Sequence, residues 1–352
     1  MVDHVRIDGS EGEGGGAMLR QSLAFSMLTR KPFVMENIRK NRDRPGLSWQ
    51  HLSALNAAHR ACDARVEGNV LGSTRVVFEP GAFANTRFTV DIGTAGSATL
   101  FLQAFLLPAV FSGREVLLKV KGGTDVKWSI PSDYFAHVLL PQLRKFADCS
   151  LQVQRRGFYP KGGGFVVFRC RPKAATASAP RVLLTERGDV FKVSGVSYAS
   201  SDLQPSEVAE RQAEAARLSL SALKVPVDVM PSYGSSSSTG SGVVLWAACG
   251  SSEGLDSQNP VLVGGSSLGE RQLRAEAVGE EASSSLRGSL SSGAACDEHL
   301  ADQLVPFMAV VGGELKTVRI TGHLRSNVYV AERFTGVSFD VDEENCVIRC
   351  DP

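Results

Sequence analysis

Long apolar runs are absent from this chain of 352 residues. None approaches the roughly 20 residues that a helix needs to cross a bilayer, so the sequence predicts no membrane partner. The first residues, Met1 to Val5, lack the basic and apolar segments of a secretory signal. We therefore expect an intracellular protein, in the nucleus if the organism is eukaryotic and in the cytoplasm if it is bacterial or archaeal.

Cysteines at metal-binding spacing are absent as well. The chain has no Cys-x-x-Cys and no histidine at zinc spacing from a cysteine, which excludes the familiar zinc folds. The seven cysteines are Cys62, Cys149, Cys170, Cys249, Cys296, Cys346 and Cys350. An odd number of scattered cysteines is typical of reduced thiols with a structural role.

Net charge is nearly absent too. The formal charge is +1, which disfavours a long electrostatic track along duplex nucleic acid but permits a protein that grips the end of one strand. With 43% hydrophobic and 21% charged residues, the chain can bury one large core or two moderate ones. The composition is that of an ordinary globular protein.

What the sequence does contain is a glycine-rich segment from Asp8 to Arg20, DGSEGEGGGAMLR, between a short apolar strand and a helix. Exposed amides at a helix N-terminus attract phosphate, Arg20 lies one turn into the helix, and Glu13 suits a divalent cation beside that phosphate. No Gly-Lys-Ser/Thr follows, which excludes a P-loop, and the carboxylates of the loop disfavour a dinucleotide site. A nucleotide site and a purely structural turn both stay open here.

Strand, glycine-rich turn and helix recur along the first part of the chain. The segments are Val5 to Leu28, Phe88 to Val110 and Val116 to Phe146. Their irregular spacing disfavours a solenoid and favours repeated α/β units within one domain. An amphipathic helix is predicted from Ser48 to Ala61, and an alternating strand from Gly164 to Arg169.

A second pattern, after Pro172, indicates an inserted domain. Strands from Val190 to Tyr198 and from Val225 to Met230 flank a helix from Pro205 to Leu223. The Ser-rich loop from Gly234 to Gly242 is predicted to be a flexible surface hairpin that leads into another apolar strand. The elements predicted after it are helices at 270–290 and 297–311 and strands near Val318 and Val337.

Two segments carry candidate chemistry. His323 is predicted to close a strand, where an imidazole projects towards a ligand, although a single histidine is more often structural. Arg39, Lys40, Arg42 and Arg44 crowd one loop, which is either solvated or suited to a terminal phosphate.

Two predicted helix starts add further polar candidates. His51 lies on the first turn of the helix behind the arginine loop. Asp297 and Glu298 oppose a helix dipole favourably and are explained by an acidic cap. Asp302 and Gln303, one turn further in, are less easily explained by capping.

These segments together resemble the RNA 3′-terminal phosphate cyclases, in the catalytic branch of that family. The resemblance covers nearly the whole chain and is least specific in the Ser-rich segment. The matching motifs are DGS…EGGG…LR at 8–20, IR…R…PGL…QHL at 38–52, TAGS…Q at 94–103, GFYPKGGG at 157–164, GSSLGER…AE…VG at 265–279, LADQL at 300–304, and His323.

The resemblance implies a mixed α/β (α+β) fold with two domains. The larger is built of repeated units of a β-sheet and two helices, as in the enolpyruvyl transferases, and a smaller α/β domain is inserted into it. We expect the catalytic domain at 1–181 and 276–352 and the inserted domain at 182–275.

The resemblance also implies a nucleotidyl-transferring ligase. ATP transfers AMP to a histidine and then to an RNA 3′-phosphate, and the neighbouring 2′-hydroxyl displaces AMP to leave a 2′,3′-cyclic phosphate. By position, His323 is the implied nucleophile and Glu13 the implied ligand of Mg or Mn. The implied ATP contacts are Arg20, Gln103, His299, Asp302 and Gln303, and the implied contacts to RNA phosphate are Arg39, Arg42 and His51.

Two residues depart from the family pattern. His299 stands where relatives commonly have tyrosine, and Ile130 stands where they commonly have proline. Both positions lie near the nucleotide in relatives, so these departures concern nucleotide affinity and the preference for ATP rather than the reaction.

Two other functions compete with the cyclase. Cyclase-like proteins of ribosomal RNA processing share the fold but bind RNA and protein partners without catalysis, and they lack the intact glycine-rich loop and the histidine. This chain has Glu13, Arg20, His51 and His323 together. An enolpyruvyl transferase follows only from fold analogy. The sequence leaves the physiological RNA and the oligomeric state open.

Overall fold

The computed structural model describes residues 3–173 and 179–352 as a mixed α/β protein with four-stranded sheets. Three of these sheets belong to repeats with one order of elements: strand, helix, strand, helix, strand, strand. Within each repeat the strands lie in the order first, second, fourth, third. The repeated sheet and two-helix units predicted for the large domain are therefore confirmed.

The first repeat carries the glycine-rich segment. Its elements are β1 (Val5–Asp8), α1 (Ala17–Thr29), β2 (Phe33–Glu36), α2 (Trp49–Cys62), β3 (Arg65–Glu67) and β4 (Val76–Glu79). β1 and β2 are parallel, and the other pairs are antiparallel. Because a parallel pair needs a crossover, α1 packs on the sheet and its N-terminus lies beyond the end of β1.

The second repeat follows the same plan with a broken second helix. Its elements are β5 (Arg87–Asp91), α3 (Ala98–Phe111), β6 (Val116–Gly122), α4 (Ser132–Tyr134), a π-helical turn (Phe135–Leu139), α5 (Leu140–Gln142), β7 (Ala147–Arg155) and β8 (Gly164–Pro172). Pro141 has no N–H to donate and lies where the helix leaves the π-helical turn.

The third repeat opens with β9 (Val182–Leu184) and is then interrupted by the inserted domain. The elements of that domain are β10 (Asp189–Ser200), α6 (Val208–Leu220), β11 (Val227–Gly234), β12 (Ser241–Gly250), β13 (Val261–Leu268) and α7 (Ala275–Ser291). Short 3-10 turns at Ser201–Ser206 and Ser221–Leu223 flank α6. The strands lie in the order β11-β10-β12-β13.

The third repeat then resumes and ends the chain. Its remaining elements are α8 (Glu298–Val311), β14 (Gly313–Lys316), α9 (Gly322–Thr335), β15 (Phe339–Asp342) and β16 (Val347–Cys350). β14 pairs in parallel with β9 and antiparallel with β16. The insertion therefore separates the first strand of the third repeat from its first helix.

These pairings disagree with the predicted boundaries of the inserted domain. β9 falls within 182–275 but belongs to a sheet of the large domain, whereas α7 extends beyond residue 275 and packs against α6 and β13 of the inserted domain. We propose boundaries at the start of β10, Asp189, and at the end of α7, Ser291. The core agrees, because buried residues of α7 such as Ala282 and Leu286 belong to the second, smaller core of the inserted domain.

The Ser-rich segment is not a hairpin, so that prediction is wrong. β11 and β12 both pair with β10, which lies between them, and residues 235–240 cross the end of β10. The crossing segment lies against the large domain, where the Lys161 backbone N–H donates to Ser238 Oγ at 3.1 Å. A Cβ added to Gly163 would lie 2.9 Å from Ser237 Oγ.

A buried polar cluster also joins the two domains. The Arg156 guanidinium lies 2.7 Å from the Asp133 carboxylate and 3.1 Å from that of Asp125. Its face covers the ring of Tyr198, on β10, at 3.8 Å from the ring centre. A planar cation between two carboxylates and an aromatic ring fixes the inserted domain in one orientation.

The structure also shows the state of the cysteines and the character of the helices. All seven cysteines are free. In the part of the chain that the structure describes, no helix has both the length and the apolar composition needed to span a membrane.

Candidate active site

The glycine-rich segment brings the N-terminus of α1 to the end of β1. Gly12 and Gly14 have φ angles of 57° and 60°, the left-handed region that glycine adopts without strain. Gly16 precedes α1, and a Cβ added there would lie 2.0 Å from His51 Nε2. The segment therefore needs glycine for its turn and for the approach of His51, and it opens the first amides of α1 to an anion.

Arg20 places a buried positive charge one turn into α1. Its Nε donates to Gln103 Oε1, on α3, at 3.0 Å. Among the residues that the structure describes, it forms no ion pair with a carboxylate. Burial lowers its pKa to about 10. A buried guanidinium without a counter-ion favours binding of an anion, and Gln103 fixes its orientation.

His51 is buried beside Arg20, on the first turn of α2. Its Nδ1 accepts from the Ser48 backbone N–H at 3.3 Å and lies 2.7 Å from Ser48 Oγ. Burial lowers the pKa of His51 to about 3, helped by the charges of Arg20 and Arg39. The ring is therefore neutral, and because Nδ1 accepts, the proton is on Nε2, which faces the glycine-rich loop.

The arginine loop packs on the same glycine-rich segment. Arg39 has a φ of 55° and donates from Nη1 to the carbonyl of Gly46 at 2.8 Å. Burial, and to a lesser extent Arg42, lowers the pKa of Arg39. A Cβ added to Gly15 would lie 3.0 Å from Arg42 Nη2. The loop is thus not simply solvated, because Arg39 is bonded to Gly46 and Arg42 lies against the glycine-rich segment.

His323 is the second residue of α9, so the prediction that it closes a strand is wrong. β14 ends at Lys316, before the strand predicted near Val318, and Thr321 caps α9 by accepting from the Leu324 N–H at 2.9 Å. The His323 side chain is 49% exposed, and its Nδ1 lies 2.7 Å from Glu13 Oε2. Since an ionised carboxylate only accepts, Nδ1 carries the proton and Nε2 keeps a lone pair.

Burial and the surrounding charges act on the pKa of His323 in both directions, and burial has the largest effect. Burial lowers the pKa of His323 from its ordinary value, and Arg20 and Arg42 act in the same direction. The Glu13 carboxylate opposes them and raises it. A neutral imidazole with a free Nε2 is the form that acts as a nucleophile.

Glu13 joins the arginine loop to His323. Its Oε1 accepts from Arg42 Nη2 at 2.5 Å, while Oε2 accepts from His323. Across residues 3–173 and 179–352, no group of three or more His, Cys, Asp or Glu side chains is arranged to hold a metal ion. One carboxylate fits the mode in which Mg²⁺ keeps its waters and takes its other ligands from substrate phosphates.

Asp302, on α8, supports the helix that carries His323. Its Oδ1 accepts from Thr321 Oγ1 at 2.6 Å, and its backbone carbonyl accepts from Asn327 Nδ2 at 2.7 Å. Burial raises the pKa of Asp302 to about 7. No cap was predicted at Thr321. A threonine followed by glycine at a helix start is nevertheless a recognisable cap.

His299 lies at the edge of this group, on the exposed first turn of α8. Its ring meets that of Tyr134 edge to face, with 6.1 Å between the ring centres. It borders a cleft of about 380 Å³ between α7 and α8, whose wall includes Gly264 and Glu298. The cleft is therefore formed by both domains.

Asp297 fixes that cleft. It caps α8 by accepting from the backbone N–H groups of His299 and Leu300, each at 3.0 Å, which confirms the acidic cap. It also accepts from the Tyr134 hydroxyl at 2.6 Å and from the Gly264 N–H of the inserted domain at 2.8 Å. One carboxylate thus ties the helix of His299 to both domains.

Gln303 and Ile130 are the two remaining positions that the sequence analysis singled out near the nucleotide. Gln303 is half-buried on α8, next to Asp302. Ile130 is buried, and its carbonyl accepts from Thr99 Oγ1 at 2.8 Å. The structure thus brings predicted residues of all three repeats together, since Gln103 of the second repeat bonds to Arg20 and His323 of the third repeat bonds to Glu13.

Comparison with known proteins agrees with this geometry. A family model described as RNA 3′-terminal phosphate cyclase matches residues 11–341. An RNA 3′-terminal phosphate cyclase of Archaeoglobus fulgidus is 44% identical over 348 residues, 98% of this chain and all of the relative. The proteins of the same name from Pyrococcus furiosus and Methanopyrus kandleri are 43% and 42% identical over 95% and 96% of this chain, which covers 94% and 95% of theirs. The chain belongs to the RNA 3′-terminal phosphate cyclase family.

Proposed function

We propose that the protein converts an RNA 3′-terminal phosphate to a 2′,3′-cyclic phosphodiester at the expense of ATP, through an AMP group carried on His323. The observation that carries this proposal is the pairing of His323 Nδ1 with Glu13 at 2.7 Å, which leaves Nε2 as the nucleophilic nitrogen. The curated relatives bear the name of this activity.

In the first step, His323 Nε2 attacks the α-phosphorus of ATP. An N–P bond forms, the bond to the bridging oxygen breaks, and pyrophosphate leaves with the electron pair. The Nδ1 proton stays on the ring, and the Glu13 carboxylate compensates the positive charge that develops there. His323 needs no separate base, because the lone pair is already available in the neutral ring.

The buried cations hold the phosphates during this step. Arg20 and the first amides of α1 face the developing negative charge from a site that excludes water, where charge stabilisation is strongest. Asp302 and Gln303 contact the nucleotide from α8, and His299 lies against the base in the cleft between α7 and α8. Glu13 would hold a Mg or Mn ion, which supplies neutralisation of phosphate charge when bound.

In the later steps, the RNA end takes the AMP and then expels it. An oxygen of the RNA 3′-phosphate attacks the α-phosphorus, and the N–P electron pair returns to His323 Nε2. The 2′-hydroxyl then attacks the RNA phosphorus, AMP leaves, and the hydroxyl proton passes to solvent. Arg39, Arg42 and the Nε2–H of His51 hold the terminal phosphate, since Arg42 and His51 face the glycine-rich loop and the charge of Arg39 acts on His51.

The non-catalytic alternative, a cyclase-like protein of ribosomal RNA processing, is not favoured. A protein that only binds RNA has no need of a half-exposed histidine held in one tautomer by a carboxylate from the opposite end of the chain. Glu13 and His323 form that arrangement here.

Incubation with α-labelled ATP and no RNA tests the proposal. We expect acid-labile label on the wild-type protein and none on His323→Asn, which should also form no cyclic product. His51→Ala should keep part of the label, because His51 serves the RNA phosphate. His59→Asn, at the far end of α2, is the matched control and should label like the wild type.

The location of the adduct decides the outcome. Mass spectrometry should place AMP on His323. An adduct on His51, or label that persists in His323→Asn, contradicts the mechanism at its first step.

A further inference from the structure

Three large apolar side chains are exposed beside the arginine loop. Trp49, the first residue of α2, is 55% exposed, and Val70 and Leu71, in the loop between β3 and β4, are 63% and 51% exposed. We call these three residues the Trp49 patch. Exposed apolar side chains in a group, unlike scattered ones, mark an interaction surface.

Hydrogen bonds hold the three residues on one side of α2. The Leu47 N–H donates to the carbonyl of Ser73 at 3.0 Å, and the Gly72 N–H donates to the carbonyl of Leu47 at 2.8 Å. Further along, Asn69 Nδ2 donates to Asn56 Oδ1 at 3.3 Å. Positions 49 and 56 lie two helical turns apart on the same face. The loop of Val70 and Leu71 therefore runs along the face that presents Trp49.

The Trp49 patch continues the proposed RNA-phosphate site. Gly46, three residues before Trp49, accepts from Arg39 Nη1 at 2.8 Å and donates its N–H to the carbonyl of Ile38 at 2.7 Å. His51, two residues after Trp49, faces the glycine-rich loop. The same short stretch of chain thus carries a phosphate-binding group on one side and an exposed indole on the other.

The charge beside the patch selects its occupant. Residues 39–44 contain Arg39, Lys40, Arg42 and Arg44 against a single acid, Asp43. A positive loop next to an exposed aromatic ring is the combination by which proteins hold single-stranded nucleic acid, because the loop follows the backbone and the ring stacks on a base. Arg42 already pairs with Glu13, but a purely apolar partner would offer nothing to the exposed Lys40 and Arg44.

We propose that the Trp49 patch binds the RNA nucleotides immediately upstream of the terminal one, with a base stacked on the Trp49 indole and Val70 and Leu71 beside it. This inference rests on the proposed function for the identity of the RNA end. It adds that the protein selects single-stranded 3′ ends, because a base in a duplex does not offer its face to the indole.

The test measures affinity for RNA without ATP. A fluorescent single-stranded oligoribonucleotide with a 3′-phosphate is titrated by anisotropy against wild type, Trp49→Ala, Trp49→Phe and Trp128→Ala. Trp128 is the matched control, since it is 94% exposed and its neighbour Lys127 pairs with Glu270, beside the inserted domain. We expect Trp49→Ala to raise Kd about tenfold, as for one lost stacked base, and Trp49→Phe to recover most of it.

A second ligand locates the lost contact. A nucleoside 3′-monophosphate that competes for the site should bind all variants equally, because it lacks the upstream nucleotides. Self-adenylylation should also be unchanged in Trp49→Ala.

Three outcomes overturn the inference. If Trp49→Ala and Trp128→Ala bind the oligonucleotide with equal affinity, the Trp49 patch does not contact the RNA. If Trp49→Ala weakens binding of the monophosphate as much as binding of the oligonucleotide, Trp49 contacts the terminal nucleotide and not the upstream ones. If light scattering shows that Trp49→Ala converts a dimer to a monomer, the Trp49 patch binds a second copy of the chain instead of RNA. If the wild type takes no label from ATP, the proposed function is wrong. The anisotropy measurement is independent of that result and still tests whether the Trp49 patch binds RNA.

Discussion

The first and third repeats place a histidine at the start of the same helix of the repeat. His51 is the third residue of α2, after the cap Ser48, and His323 is the second residue of α9, after the cap Thr321. The first ring is buried and bonded to its own cap, with its pKa lowered to about 3. The second is half-exposed and bonded to Glu13 from another repeat.

The difference shows how one position in a repeated unit serves two kinds of chemistry. In His51, Nδ1 accepts, so Nε2 carries a proton and is a donor for an anion. In His323, Nδ1 donates, so Nε2 carries the lone pair that the proposed nucleophile needs. The partner of Nδ1 decides the tautomer, and the tautomer decides what Nε2 can do.

The largest expected effect comes from removing the partner of His323. Glu13→Gln offers one acceptor oxygen where Arg42 and His323 now use two, so one of them faces an NH₂ group. We expect single-turnover self-adenylylation to fall by about 100-fold or more, as in other enzymes whose histidine loses its orienting carboxylate.

The control for Glu13→Gln is Glu11→Gln, in the same loop and exposed. It should adenylylate at the wild-type rate. If Glu13→Gln also kept that rate, the Glu13 contact would not be what makes His323 a nucleophile.

An intermediate effect is expected at Arg42, which shares the Glu13 carboxylate with His323. Arg42→Ala removes a charged donor to the RNA phosphate, so we expect KM for RNA to rise about tenfold while self-adenylylation persists. Steady-state cyclisation and single-turnover labelling measure the two steps separately. Arg114→Ala, exposed in the turn between α3 and β6, is the control. An equal fall in both steps would assign the loop to the nucleotide site.

The smallest effect is expected at His299, on the rim of the cleft. His299→Tyr enlarges the stacking face against the base, so we expect KM for ATP to fall about threefold with kcat unchanged. Titration of self-adenylylation against ATP measures the change. A collapse of adenylylation, with the thermal unfolding curve intact, would give His299 a role in the chemistry and set it beside His323 in the comparison.

Most elements were predictable from local sequence, and the errors in domain boundaries and strand order share one cause, since they depend on contacts between distant segments. β9 has three residues, and its partner β14 follows a whole inserted domain, so no local pattern assigns it to the large domain. The amphipathic pattern of α7 predicts a buried face but does not predict which sheet that face packs against. β11 and β12 are consecutive but separated by β10, because the connection through α6 makes β10 and β11 a parallel pair.

The site divides in the same way. The motifs predicted its residues, and Asp297 was predicted as a cap from its chemistry alone. Two local signals were misjudged. The residues around Val318 indicated a strand that does not form, and Thr321, taken as part of that region, instead caps a helix. The contacts of Asp297 with Tyr134 and Gly264 had no sequence signal.

The sequence by itself determined the family, the repeated α/β units, the glycine-rich turn and the cations around it, because these depend on residue types and short spacings. Only the tertiary structure decided that Nε2 of His51 carries a proton and that Nε2 of His323 carries a lone pair. The sequence places both histidines near polar residues, but the proton on an imidazole follows the group opposite Nδ1. For His51 that group is its own helix cap, and for His323 it is Glu13, brought from the first repeat to the third by the packing of the core.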